Sequence, residues 1–246
     1  MLATTVAEAG ARYGDRIAAR TSEGDELTYT DLDRASDEAA VGLAALGITR
    51  GSLVLLSLPS GMDYIVAYVA AAKLGAATGG INPRLSASER GDLASGAAPD
   101  LVLAAPWLTD GLPNRLHIEP IDPGSGPPLA ELRSSGETPP PVTLIPDEPV
   151  CLCFTSGTTG RPKAAWFGGR QLRAAADLDT GGAWGGGHLI AGTAMAHVGF
   201  MTKIPWQLAA GTTIHVMDRW SAGEALHLID THRMPAVNGV AAQIAL

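Results

Sequence analysis

Apolar positions along the chain follow two spacings, one typical of buried strands and one typical of helices. Leu53 to Leu58 is almost wholly apolar, as expected for a strand that is covered on both faces. Upstream, apolar residues from Leu32 to Leu46 recur at close to 3.6 residues, and Gly47 ends that run as a helix C-cap would. The connections between strands are long enough for parallel pairing. The pattern predicts an α/β protein with mostly parallel sheets flanked by helices.

The same criteria predict the other elements of the chain. Thr30 is expected to cap the first of these helices, because a threonine hydroxyl can accept from a free backbone N–H. Residues 181–187 are rich in glycine and are expected to be flexible. The expected strands are residues 27–29, 53–58, 76–81, 101–104, 150–154, 188–194, 212–217 and 236–240. The expected helices are residues 31–46, 63–74, 86–95, 170–178 and 223–232.

Proline, glycine and serine dominate residues 109–149, which divide the chain into two parts. This composition predicts an N-terminal α/β subdomain at residues 1–108 and a second α/β subdomain at residues 150–246. The segment between them is a Pro/Gly-rich connection. A linker between domains and a long surface excursion within one large domain fit this composition equally well.

Composition and charge exclude several classes of protein. Hydrophobic residues make up 46% of the 246 residues and charged residues 17%, which is typical of a globular chain with a sizeable core. The net charge of -8 argues against a nucleic-acid partner. We expect no membrane span, because no apolar run approaches the ~20 residues that a membrane helix requires. The first twenty residues contain Glu8 and Asp15 without an apolar run, so we expect a cytoplasmic protein.

Cys151 and Cys153 are the two cysteines of the chain, and one residue separates them. We expect their side chains to point to opposite faces of a strand, which suits neither a disulfide nor a shared metal ion. No further cysteine completes a zinc site. The expectation is two buried free thiols in a reducing compartment.

Residues 155–163 form the most informative segment, because an apolar strand runs directly into a loop of hydroxyl residues and glycines that ends on a cation. Gly157 and Gly160 permit backbone angles at which successive N–H groups converge on phosphate oxygens. Lys163 adds a point charge. The pattern differs from a Walker A loop, because Arg161 and Pro162 follow Gly160 and a proline would break the helix that such a loop opens. Short hydroxyl donors come from Thr155, Ser156, Thr158 and Thr159.

This nine-residue segment resembles the phosphate loop of the adenylate-forming superfamily, which contains acyl-CoA synthetases, luciferases and peptide-synthetase adenylation domains. Residues 27–32 resemble the family's early strand-to-helix entry, and residues 82–86 resemble a stretch of its acyl-CoA synthetase branch. Residues 194–199 resemble its His-containing segment beside the acyl pocket, and residues 238–240 resemble a pocket-lining strand end. The resemblance implies the fold of the N-terminal part of the large domain of acyl-CoA synthetases.

The resemblance also implies a two-step, ATP-dependent acid–thiol ligase reaction. A fatty acid or another carboxylic acid attacks the α-phosphorus of Mg²⁺-bound ATP, which gives an acyl-AMP and pyrophosphate. The thiol of CoA, or of a carrier pantetheine, then displaces AMP. Fixed donors must offset the repulsion between a carboxylate and a polyphosphate.

The site residues follow from the same resemblance. His197 and Lys163 are the candidate catalytic residues, His197 because it would orient the carboxylate between the acyl pocket and the nucleotide. The nucleotide phosphates would be bound by Thr155, Ser156, Gly157, Thr158, Thr159, Gly160 and Lys163. The carboxylic acid would be bound by His197, Gly199, Phe200, Asn238 and Gly239. We expect no metal-ligand set, since His117, His188, His215, His227 and His232 show no ligand spacing with carboxylates.

Family members are about twice as long as this chain, and their adenine, ribose and metal contacts come from later segments. The expectation is therefore an N-terminal portion of such a ligase that is inactive alone. The alternative is a non-catalytic half, or an assembly module, that completes a split adenylating enzyme. A second copy of the chain and a complementing C-terminal half are the protein partners that stay open.

Overall fold

The computed structural model describes residues 2–155, 163–178, 187–235, 237 and 239–245. These residues form two β-sheets with helices packed against them. The strands are β1 (Ile17–Thr21), β2 (Glu26–Thr28), β3 (Leu53–Ser57), β4 (Ala77–Gly80), β5 (Leu101–Ala104), β6 (Ile118–Pro120), β7 (Pro149–Thr155), β8 (Lys163–Gly168), β9 (His188–Ala191) and β10 (Thr213–Val216). The α-helices are α1 (Leu2–Tyr13), α2 (Tyr29–Ala45), α3 (Met62–Lys73), α4 (Ala87–Ala97), α5 (Gly169–Leu178), α6 (Val198–Met201), α7 (Ile204–Ala209), α8 (Ala222–His232) and α9 (Ala241–Ile244).

The larger sheet has six strands in the order β6-β5-β3-β4-β7-β8. Its pairs are parallel except for β7 and β8, which form an antiparallel hairpin. Helix α3 connects β3 to β4 and is buried from Met62 to Ala72. Because helices cover both faces, Val54, Leu55 and Leu56 of β3 are fully buried, which explains the unbroken apolar run in the sequence.

The smaller sheet has four strands in the order β2-β1-β10-β9. It combines two strands from early in the chain with two strands from late in the chain. Strand β1 lies parallel to β10, with Ala19 opposite Ile214, and β10 lies parallel to β9. Both sheets therefore combine strands from residues 1–108 with strands from residues 150–246. The predicted division of the chain into two subdomains at residues 109–149 stays a prediction. In each sheet, strands from before this segment are hydrogen-bonded to strands from after it.

The mostly parallel α/β architecture is confirmed, and most predicted elements lie within a few residues of their expected bounds. The cap of α2 was assigned wrongly: Thr28 occupies it, and the Thr28 hydroxyl accepts from the Asp31 backbone N–H at 3.0 Å. The strand predicted at residues 236–240 was also wrong, because Val240 is the N-cap of α9 and Val237 and Gly239 lie outside any strand. Of the glycine-rich residues 181–187, only Gly187 lies among the described residues.

The segment of residues 109–149 packs onto the rest of the protein. Strand β6 extends the larger sheet beside β5, and Leu129 is fully buried. Glu38 of α2 holds the later part of the segment, since its carboxylate accepts from the Gly136 backbone N–H at 2.9 Å and pairs with Arg133 at 2.6 Å. Residues 109–149 are therefore rich in proline and glycine and also make buried contacts with the rest of the protein.

Cys151 and Cys153 on β7 are both free and both buried, as predicted. The expectation that they face opposite sides was wrong, because side chains two residues apart on a strand share a face. Burial along β7 alternates accordingly, with Leu152 less buried than either cysteine. Separately, none of the helices among the described residues is long and apolar enough to span a bilayer.

Candidate functional site

The carboxyl ends of β4 and β7 lie side by side at one edge of the larger sheet. The two strands are parallel neighbours, with Gly79 opposite Leu152. In open α/β sheets, ligands bind beyond the carboxyl ends of the strands, where the loops leave the sheet. The segments that follow Gly80 and Thr155 therefore belong to one candidate site.

Thr155 and Lys163 mark the two ends of the predicted phosphate loop. They lie opposite each other as the outermost pair of the β7–β8 hairpin, and the Thr155 hydroxyl donates to the Lys163 carbonyl oxygen at 3.2 Å. Both residues are exposed. The loop therefore starts and ends at the carboxyl end of β7. Its predicted phosphate ligands Ser156, Gly157, Thr158, Thr159 and Gly160 lie outside the described residues.

His197 lies at the N-cap of α6, beside the segment that follows β4. The Asn82 side-chain nitrogen donates to His197 Nε2 at 3.1 Å, and Asn82 Oδ1 accepts from the Arg84 backbone N–H at 3.0 Å. The second bond fixes the orientation of the amide, because a backbone N–H can only donate. Nε2 is consequently an acceptor, and the ring proton lies on Nδ1.

The electrostatic surroundings of His197 favour the neutral ring. Partial burial of the imidazole, and then the positive charge of Arg84, lower the pKa of His197 below its ordinary value. At neutral pH the ring is uncharged and offers Nδ1–H as a hydrogen-bond donor. A neutral donor of this kind can orient a carboxylate without first losing a proton.

Two strand ends hold the chain segment that carries His197. The Met195 backbone N–H donates to the Ser60 hydroxyl, just beyond β3, at 3.1 Å. Gly80, the last residue of β4, lies so close to Ala196 that a Cβ atom there would be 2.5 Å from the Ala196 Cα. Only a glycine at this point lets the two backbones approach so closely. Sequence reasoning missed Ser60 and Gly80, since neither forms a motif without its distant partner.

The other predicted acid-binding residues occupy different environments. The ring of Phe200 is buried and meets Tyr64 edge to face, with ring centroids 6.3 Å apart. Gly199 and Gly239 are exposed, and Asn238 lies outside the described residues. Helix α6 is held on the core by Tyr68, whose hydroxyl donates to the Met201 carbonyl at 2.9 Å. The structure thus brings His197 and Phe200 together on α6, with Phe200 facing the core.

A cleft of about 1060 Å³ opens beside this site, and sequence reasoning did not foresee it. Strands of both sheets direct their carboxyl ends toward it. Its lining includes Thr21 from the end of β1, Ser60 beyond β3, Arg84 beyond β4, Trp107 beyond β5 and Asp218 beyond β10. Arg84 and Ala194 line the cleft and flank the His197 segment, so the cleft is large enough and close enough to admit a ligand.

Three histidines meet in the smaller sheet, away from the candidate site. His188, His215 and His232 each offer a ring nitrogen, and these nitrogens lie within 4.8 Å of one another. The absence of ligand spacing along the sequence did not exclude this cluster, because its members come from β9, β10 and α8. Among the described residues it is the group that could hold a metal ion.

Comparisons with known proteins give matches at the level of family and of fold. A model of the AMP-binding enzyme family matches residues 6–245. The chain is 28% identical over 227 residues to the long-chain-fatty-acid–CoA ligase FadD13 of Mycobacterium tuberculosis, covering 85% of this chain and 43% of that protein. It is 36% identical over 181 residues to the salicyl-AMP ligase / salicyl-S-ArCP synthetase of the same species, covering 66% of this chain and 32% of that protein. The chain thus spans less than half the length of these relatives.

Solved structures show the same fold. The N-terminal domain of FACL13 from Mycobacterium tuberculosis, solved with an inhibitor, superposes with a TM-score of 0.84 at 25% identity, covering 99% of this chain and 64% of that chain. The o-succinylbenzoate CoA synthetase of Bacillus subtilis, solved with ATP and a magnesium ion, gives a TM-score of 0.82 at 20% identity, covering 98% of this chain and 50% of that chain. Because the family match spans nearly its whole length, the chain belongs to the AMP-binding enzyme family of adenylate-forming ligases.

Proposed function

We propose that this chain supplies the phosphate-binding and carboxylate-orienting parts of an ATP-dependent acid–thiol ligase. In the first step a carboxylate oxygen bonds to the α-phosphorus of ATP, the bond to the β-phosphate bridging oxygen breaks, and pyrophosphate leaves. In the second step a thiolate sulfur bonds to the acyl carbon, and the carbon–oxygen bond to AMP breaks. The observation that supports the proposal is the shared edge of β7 and β4, because Thr155 and Lys163 lie at the end of β7 and Asn82, just beyond β4, bonds to His197.

Lys163 and the loop that it ends are assigned to the β- and γ-phosphates. The overall charge of -8 repels a polyphosphate, so binding requires local donors. An ammonium group and hydroxyl groups donate to phosphate oxygens, and donors fixed in advance stabilise the charge that develops on pyrophosphate. Mg²⁺ would enter with ATP as its counterion, and it would relieve the repulsion between the two anions. The side chains of Thr155 and Lys163 suit phosphate oxygens, and no residue of this chain is assigned to the ion.

His197 is assigned to the substrate carboxylate. Asn82 bonds to Nε2, the opposite nitrogen of the ring. The Nδ1–H can therefore donate to a carboxylate oxygen. Arg84 adds a positive charge near the same ring and lines the cleft. Gly199, Asn238 and Gly239 are proposed to line the acyl pocket, with Phe200 supporting its wall from the core.

The acid and the acceptor are proposed as classes. The relatives carry names of fatty-acid and of aryl ligases, which favours an apolar or aromatic carboxylic acid. Some of those names specify CoA and others a carrier protein, so the acceptor is the thiol of CoA or of a carrier pantetheine. A second copy of the chain or a complementing C-terminal half would be the protein partner. An assembly module without catalysis is the alternative.

The phosphate assignment can be tested by calorimetric titration of the chain with Mg²⁺-ATP and, separately, with Mg²⁺-pyrophosphate. Lys163→Ala should weaken ATP binding about 10- to 100-fold, as expected for the loss of a charge-assisted hydrogen bond. Pyrophosphate affinity should fall by a similar factor, because pyrophosphate corresponds to the β- and γ-phosphates of ATP. Arg173→Ala is a matched control, since Arg173 is an exposed cation on α5, beyond the far end of β8.

Two results would contradict the assignment. One is unchanged ATP affinity in Lys163→Ala. The other is a loss of ATP affinity with unchanged pyrophosphate affinity in a variant that circular dichroism shows to be folded, which would indicate a role at the nucleoside instead of the phosphates.

A further inference from the structure

We propose that His188, His215 and His232 form a binding site for one divalent transition-metal ion, for which Zn²⁺ is the best match. This inference does not depend on the ligase function, because the three histidines lie in the smaller sheet and on α8. The site would fasten the end of α8 to β9 and β10.

The topology explains why three residues distant in sequence meet. His188 pairs with Thr213 across β9 and β10, so His215, two residues beyond Thr213, lies on the same face as His188. Helix α8 covers that face and ends at His232, which brings a third imidazole over the strand pair. The rings of His188 and His232 stack with centroids 4.1 Å apart.

The nitrogen positions fit a metal ion after small side-chain movements. Two nitrogens bound to a tetrahedral zinc ion are about 3.4 Å apart, given a Zn–N distance of about 2.0–2.1 Å. His188 Nδ1 and His215 Nε2 are 2.9 Å apart, and the three ligand atoms lie within 4.8 Å of one another. The close pair must separate slightly and the widest pair must approach, which rotations about the side-chain bonds can provide.

The protonation state of His188 and His215 suits a metal, because the metal-binding form of histidine is the neutral ring. Burial, together with the neighbouring histidines, lowers the pKa of His215 to about 4, and burial lowers the pKa of His188 as well. In the free cluster one ring donates to the other. On metal binding the donating ring moves its proton to its other nitrogen through solvent, so the pair of His188 and His215 keeps its protons.

Some of the surrounding charges favour a bound cation and others oppose it. His232 is the last residue of α8, where the helix dipole favours a cation. Arg20 opposes a cation, since it lies opposite His215 on β1, although its side chain is paired with Glu26. Arg16 also faces the cluster. Both arginines add, after burial, to the lowering of the pKa of His188, and their charges moderate the affinity for a divalent ion.

The ligand set identifies the class of metal. Three imidazoles favour Zn²⁺, Cu²⁺, Ni²⁺ or Co²⁺, whereas Mg²⁺ and Ca²⁺ prefer oxygen ligands. Three protein ligands leave a fourth tetrahedral position for water or an added anion.

The test is titration of the full chain, freed of metal by a chelator, with Zn²⁺ and with Co²⁺. We expect one equivalent of tight binding, and visible Co²⁺ absorption bands of tetrahedral nitrogen ligation without the thiolate charge-transfer band that Cys151 or Cys153 would produce. At a zinc concentration about 100 times the Kd, the midpoint of thermal unfolding should rise by roughly 5–10 °C. Mg²⁺ should produce neither effect.

Two histidine variants on α8 distinguish metal binding at this site from metal binding by any exposed histidine. His232→Gln should weaken Zn²⁺ binding by about 100-fold or more, because it removes one of three ligands. His227→Gln is the matched control, since His227 is an exposed residue of the same helix, and it should bind Zn²⁺ like the wild type. His188→Gln makes the same test for the ligand on β9, and it should also weaken Zn²⁺ binding.

The proposal is overturned if the wild-type chain binds no stoichiometric Zn²⁺, or if folded His232→Gln and His188→Gln bind it as tightly as the wild type. Far-ultraviolet circular dichroism establishes that each variant is folded. If a variant does not fold, the wild-type stoichiometry and the Co²⁺ spectrum decide the matter without it.

Discussion

The Asn82 side-chain amide donates to His197 Nε2 at 3.1 Å, and this bond joins the end of β4 to the start of α6. The partner atom determines the chemistry of the ring, because an amide N–H can stabilise Nε2 only as an acceptor. His197 is consequently held as the tautomer with its proton on Nδ1, and that proton is what the ring can offer to a ligand.

Asn82→Ala should release His197 from that single tautomer. Without the amide donor, Nε2 can also carry the proton, so the imidazole ¹⁵N shifts should move toward those of a mixture of tautomers. Nuclear magnetic resonance of the ¹⁵N-histidine-labelled chain near neutral pH measures the change. Asn114→Ala is the control, since Asn114 is exposed and its replacement should leave the His197 shifts as they are. Identical His197 shifts in Asn82→Ala and wild type would refute the tautomer assignment.

Arg84→Gln should raise the pKa of His197. The guanidinium disfavours a second positive charge on the ring, and removing it leaves burial as the remaining cause of the lowered pKa. The measurement is a titration of the His197 ring resonances at low ionic strength, where the effect of a partly exposed charge is least screened. Arg115→Gln removes an exposed arginine elsewhere and should not move the titration. A titration midpoint that stays in place for Arg84→Gln would show that Arg84 does not act on the ring.

Gly80→Ala should destabilise the fold by about 1–3 kcal/mol, the usual cost of adding a methyl group where there is no room. The new Cβ would overlap the Tyr64 hydroxyl oxygen and lie 2.5 Å from the Ala196 Cα, so the His197 segment must move away. Urea unfolding measures the free energy of unfolding. Gly199→Ala is the contrast, because nothing lies within 4 Å of its Cβ position. Equal stability of the two variants would contradict the close packing of Gly80 on Ala196.

Glu38→Gln should lower the free energy of unfolding by about 3 kcal/mol near neutral pH, because it leaves the half-buried Arg133 guanidinium without its anionic partner. The backbone N–H of Gly136, and then the Arg133 charge, hold the pKa of Glu38 below the ordinary value of 4.5. The folded state therefore binds its proton more weakly than the unfolded state. The carboxylate contributes its stability fully above pH 4.5 and loses it as the pH falls through the folded-state pKa.

The difference in unfolding free energy between wild type and Glu38→Gln should accordingly narrow in acid. Urea unfolding of both proteins at a series of pH values tests this. Glu8→Gln, an exposed change on α1, serves as the control and should follow the wild type throughout. A gap between wild type and Glu38→Gln that stays constant into acid would show that the ionised carboxylate is not its cause.

Local patterns predicted most of the helices and strands because burial on one or both faces leaves a spacing in the sequence. Strand β5 was predicted with its observed bounds, since Leu101 to Ala104 is apolar and fully buried. Helix α1 was missed although Leu2, Val6 and Ala9 recur on one face, because alanine and glycine make up much of the helix. Strand β8 was missed because most of its side chains are exposed, so it carries no apolar pattern.

Contacts between distant segments could not be predicted from any single stretch. Asn82 and Arg84 were noted in the sequence, but the bond from Asn82 to His197 depends on the packing of α6 against the end of β4. The histidine cluster likewise depends on the order of strands in the smaller sheet. The predicted thiol orientation failed for a simpler reason, namely that the two-residue period of a strand was applied incorrectly to Cys151 and Cys153.

The pairing of β1 with β10 also has a consequence for how this protein is made. The Thr213 hydroxyl donates to the Ile17 carbonyl at a separation of 196 residues, so β1 can pair with β10 only after the residues between them have left the ribosome. At roughly 5–20 residues per second, that interval is about 10–40 s. Throughout it the nascent N-terminal hairpin has an unpaired edge, which is a known hazard for aggregation. We expect newly synthesised chains to depend on chaperones until β10 emerges.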